Sequence, residues 1–130
     1  MKKYSLGWLY HEQKQYVLAE ETYSVGLQNN TTYLPLHSRP IMLYLDQKLL
    51  KKAEEQVSKM MTINEADWRI PFYKSCIAAM KGEEQKALKL LKTASDIGIE
   101  DTDMLERRGY FENIKHHEGF KRILVENKDD

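Results

Sequence analysis

The residues of this sequence best suited to chemistry are His116-His117-Glu118, Cys76, His11 and His37. Adjacent histidines on a helix point to different faces, and no further ligand stands at a recognisable spacing from them. His116-His117-Glu118 is therefore expected to be a solvated helix start. Cys76 is the single cysteine and has no Cys-His signature around it, so it reads as a small packing residue. His11 and His37 imply no pairing. A glycine-rich phosphate loop, a GxSxG elbow and an HExxH pair are all missing from the chain. Asn29 and Asn30 each open an Asn-x-Thr sequon, which matters only in a secretory pathway. The apolar stretch from Tyr4 to Tyr10 stops at His11-Glu12, too short for a leader or a bilayer span. Both asparagines are accordingly expected to end a helix and form a turn. The expectation is a cytoplasmic, non-catalytic protein with no cofactor and no metal site.

Composition bounds the partner. The 130 residues hold 20 Lys plus Arg against 20 Asp plus Glu, and 42% are hydrophobic. Such a chain has enough apolar material to fold, and one cysteine excludes an internal disulfide framework. Charge also balances locally: three basic and three acidic residues over 1–33, five and five over 34–67, six and five over 68–101, six and seven thereafter. No stretch is basic enough to track a phosphate backbone or an anionic membrane. A protein or peptide partner is expected, not nucleic acid or membrane, and a homodimer is open.

The elements that would position a site follow from a period in the chain. Tyr16–Gln28, Leu50–Thr62 and Glu84–Asp96 align at a step of 34, bringing Ala19, Ala53 and Ala87 into register. Tyr23 then meets Val57 and Leu91, Gly26 meets Met60 and Ala94, Tyr10 meets Tyr44 and Ala78, and Gly7 meets Ile41 and Ser75. Small residues at fixed positions are what two closely crossing helices require. Each unit reads as two amphipathic helices joined by a turn, with Ala19, Tyr23 and Gly26 interlocking against Gly7 and Tyr10. Ser38 is expected to cap a shortened helix with Pro40 in its first turn, and Asp67 to cap the helix holding Pro71. Lys81-Gly82-Glu83-Glu84 supplies a turn.

In the first unit Leu6-Gly7, Tyr10, Ala19 and Tyr23 stand in a pattern that resembles the tetratricopeptide repeat family. The segment Tyr73–Gly98 looks like the closing repeat of many bacterial members, and Met104-Leu105, Tyr110-Phe111, Ile114, Phe120, Ile123 and Leu124 continue likewise. The resemblance implies an all-α fold, a right-handed superhelical solenoid of three hairpins. The repeats would span about 1–33, 34–67 and 68–101, with capping helices over about 102–126 and a disordered tail at 127–130, all in one domain of residues 1–130. In that fold the first helices line a concave side. Their free face here would carry Tyr4, Trp8, His11, Met42, Leu45, Arg69, Phe72, Cys76 and Ala79. Either these pack on each other or on a preceding unit, or they form a groove for an amphipathic helix or extended apolar peptide. In the groove reading Trp8 and Phe72 are the anchors and Arg69 orients a carboxylate. The chaperone-binding clamp known in the family maps onto Tyr4, Trp8, Arg39, Arg69 and Tyr73, of which only Arg69 fits. The resemblance thus implies an interaction scaffold or adaptor, as the C-terminal module of a larger bacterial protein or alone. The alternative is a small chaperone shielding an apolar client segment.

Overall fold

A computed structural model describes residues 6–29, 31–106 and 108–127. All regular elements among the described residues are helical: α1 (Leu6–Glu12), α2 (Tyr16–Leu27), α3 (Leu34–Asp46), α4 (Leu50–Met61), α5 (Arg69–Met80), α6 (Glu84–Ile97), a 3₁₀ turn (Thr102–Leu105) and α7 (Glu118–Glu126). Consecutive helices pack in pairs, α1 on α2, α3 on α4 and α5 on α6. The chain divides into two compact units, Met1–Ile63 and Asn64–Asp130.

The 34-residue step is written into the backbone. Helices α2, α4 and α6 begin at Tyr16, Leu50 and Glu84, while α1, α3 and α5 end at Glu12, Asp46 and Met80. The turns between them share one conformation. Lys14, Lys48 and Gly82 all have left-handed φ, at 63°, 61° and 81°. The next residues, Gln15, Leu49 and Glu83, adopt φ/ψ of −92/73°, −90/73° and −90/76°. Their amides donate to the carbonyls of Tyr10, Tyr44 and Ala78 at 2.9, 2.8 and 2.9 Å. Left-handed backbone costs little for glycine and more for lysine, so packing of the hairpins must hold Lys14 and Lys48 in place.

In the first unit Ala19, Tyr23 and Leu43 form one buried cluster, with Tyr10 and Tyr16 packed against it. Helix α3 starts at Leu34 with Pro35 in its first turn, so Ser38 and Pro40 lie inside the helix. This corrects the expected cap. Pro35 takes the position where a missing amide costs nothing, and Pro40 leaves a gap in the hydrogen-bond ladder further along. Ser38 Oγ is buried with no hydrogen-bond partner. Gly26 also departs from expectation, since it is exposed and a Cβ there would meet no atom within 4 Å. Asn29 forms the turn after α2, and Asn30 lies outside the described residues.

In the second unit Asp67 Oδ1 accepts from the Arg69 amide at 2.9 Å and so caps the start of α5. Ser75 donates to the carbonyl of Ala87 at 3.1 Å, tying α5 to α6 where they cross. The expected first capping helix is only the 3₁₀ turn; Tyr110, Phe111 and Ile114 are buried but sit in irregular turns. His117 Nδ1 accepts from the Gly119 amide at 3.0 Å, so this histidine is the N-cap of α7. Asn127, assigned from the sequence to a disordered tail, caps the other end of α7 and donates to Ser95 Oγ at 2.9 Å. Residues 128–130 lie outside the described residues.

Candidate partner-binding site

The free face expected on the first helices is mostly interior. Phe72, Cys76 and Ala79 of α5 are fully buried, and Leu45 and Met42 of α3 nearly so. Phe72 stands edge-on to Trp68, Tyr73 and Phe111 with ring centroids 5.5, 5.6 and 5.7 Å away, and Phe111 in turn meets Phe120 at 5.5 Å. Edge-to-face rings of this kind are interior packing. Phe72 is a core residue of the second unit and offers no surface to a partner, which corrects its reading as an anchor. The physical reason lies in the segment 108–117, whose Phe111 turns inward and covers the ring.

Arg69 is engaged within its own helix start. Its guanidinium Nη1 donates to Asp67 Oδ1 and Oδ2 at 3.0 and 3.1 Å and lies 5.0 Å from the centre of the Trp68 ring. A partner carboxylate would have to compete with Asp67 for this guanidinium. Burial pushes the Cys76 thiol well above its usual pKa, so it has little thiolate character. Tyr4 lies outside the described residues.

Trp8 and His11 remain, on α1 in the first unit. His11 is buried; its Nε2 donates to Asp46 Oδ2 of α3 at 2.6 Å, and its Nδ1 faces the Tyr23 hydroxyl at 3.4 Å. The imidazole therefore joins α1, α2 and α3 through polar contacts that a groove ligand could not reach. Trp8 is half-buried, its ring edge-on to His11 at 5.0 Å. The Arg39 guanidinium of α3 stacks over Trp8 at 4.5 Å from the ring centre. Arg39 pairs with no carboxylate among the described residues. A half-exposed guanidinium stacked on an indole keeps its fork of donors free for an acidic group. Sequence reasoning placed Arg39 in the clamp register without assigning it a role; the signal missed was that Trp8 and Arg39 face each other across the α1/α3 seam.

A cleft of about 300 Å³ in the first unit is lined by Glu20, Tyr23, His37, Tyr44, Gln56 and Lys59 among others. The Tyr44 hydroxyl donates to Glu20 Oε2 at 2.6 Å, and Lys52 lies 5.5 Å from the Tyr44 ring centre. Burial, and then the Glu20 carboxylate, raise the Tyr44 pKa. His37 bonds the carbonyl of Thr31 at 2.9 Å. Among the described residues no group of three or more His, Cys, Asp or Glu side chains could hold a metal ion, and no helix is long and apolar enough to cross a membrane.

Compared with known proteins, the chain matches no family model, no curated protein and no solved structure.

Proposed function

We propose that this chain is a helical-repeat interaction module of tetratricopeptide type, a solenoid of three hairpins that binds an acidic segment of a protein partner rather than catalysing a reaction. The observation that carries the reading is the recurrence of one hairpin turn, at Lys14-Gln15, Lys48-Leu49 and Gly82-Glu83, with the same dihedrals and the same hydrogen bond. Repeated hairpins exist to extend a surface by stacking, and such surfaces bind peptides and helices. The Trp8–Arg39 pair sets an aromatic platform beside a cation that pairs with no carboxylate among the described residues. An acidic side chain or a C-terminal carboxylate would meet the guanidinium while its neighbours cover the indole.

Affinity capture with the intact chain and with Arg39→Ala tests this. A protein retained by the parent and lost on the variant, with helicity unchanged, supports the module. Equal retention on both removes Arg39 from the site.

A further inference from the structure

The cleft of about 300 Å³ between α2, α3 and α4 lies at the small end of the range for ligand sites, a size for a small molecule rather than a helix. Buried Tyr23, Pro40 and Tyr44 give it an apolar lining. Its polar groups fall on two walls. Glu20 and Ser24 share one face of α2 by helical spacing, and Gln56 and Lys59 share one face of α4.

One charge stands on each wall. Glu20 is partly buried; its Oε2 accepts from the Tyr44 hydroxyl at 2.6 Å, and the carboxylate forms no ion pair among the described residues. Lys59 likewise pairs with no carboxylate among them. His37, also on the lining, is engaged with the Thr31 carbonyl. A ligand of a single sign would set an anion beside Glu20 or a cation beside Lys59. A zwitterion meets both: its ammonium reaches the second oxygen of Glu20 and the Ser24 hydroxyl, and its carboxylate reaches Lys59 and the Gln56 amide. We propose that this cleft binds a free amino acid, held by Glu20 on α2 and Lys59 on α4 over the Tyr23, Pro40 and Tyr44 floor. The proposal is independent of what binds at Trp8 and Arg39.

Thermal melting of the intact chain with each of the twenty standard L-amino acids at millimolar concentration finds the ligand, since binding to the folded state raises the melting temperature. Calorimetric titration then compares the best binder with its N-acetyl and C-terminal amide derivatives, which lack the ammonium and the carboxylate. Each derivative should bind about tenfold more weakly or worse, as should the parent amino acid on Glu20→Gln and on Lys59→Met at unchanged helicity. Lys59 is exposed, so Lys59→Met keeps the test open should Glu20→Gln fail to fold. No stabilisation by any of the twenty overturns the proposal. So does undiminished affinity for either derivative or on either folded variant.

Discussion

Gly7 of α1 lies directly against the ring of Tyr23 on α2: a Cβ at Gly7 would stand 2.7 Å from Cε1 and 2.8 Å from Cδ1 of that ring. A ring this large at the crossing leaves room for glycine alone. The register mates Ile41 with Val57, and Ser75 with Leu91, divide the bulk differently. Gly7→Ala should therefore destabilise the first unit by about 1 to 3 kcal/mol in urea unfolding, and Gly7→Ala/Tyr23→Val should cost less than the two single changes added together.

Gly26 is the opposite case, a glycine inside α2 with open space at its Cβ. Gly26→Ala should raise stability by about 0.5 to 1 kcal/mol, because alanine loses less backbone entropy in a helix. A lower melting temperature would mean that Gly26 meets a neighbour after all.

Phe72 sits among three other aromatic rings with no exposed surface. Phe72→Ala should cost about 3 to 5 kcal/mol, and half-buried Trp8→Ala clearly less. Comparable losses for the two variants would show Trp8 to be core as well.

The raised Tyr44 pKa makes a prediction in alkali. The unfolded phenol ionises near pH 10, whereas the folded one holds its proton to higher pH, so the folded state binds more protons above that point. The stability Tyr44 contributes is present in full below pH 10 and falls as pH rises beyond it. The difference in unfolding free energy between the parent and Tyr44→Phe should shrink accordingly, and a difference constant across that range would place the phenol in water.

Cys76 is fully buried and its thiol pKa is pushed up by that burial. A thiol reagent at neutral pH should label it only in denaturant. Rapid labelling of the folded chain would count against the packing of α5.

The sequence by itself determined the helices and their period. Ala19, Ala53 and Ala87 mark close crossings that tolerate only small side chains, and a step of 34 between them fixes where α2, α4 and α6 begin, because a small residue is demanded locally at each crossing. It also showed that Asp67 caps a helix, since the capping bond runs between residues two apart. Only the tertiary structure decided which apolar residues face outward. The same three-and-four spacing that lists Phe72, Cys76 and Trp8 on one side of their helices is silent on what covers that side. Phe111, 39 positions after Phe72 in sequence, closes over Phe72, whereas Arg39 sits over the Trp8 ring and leaves it half open. Periodicity records the direction of a side chain from its own axis, and burial depends on the distant segment that arrives there.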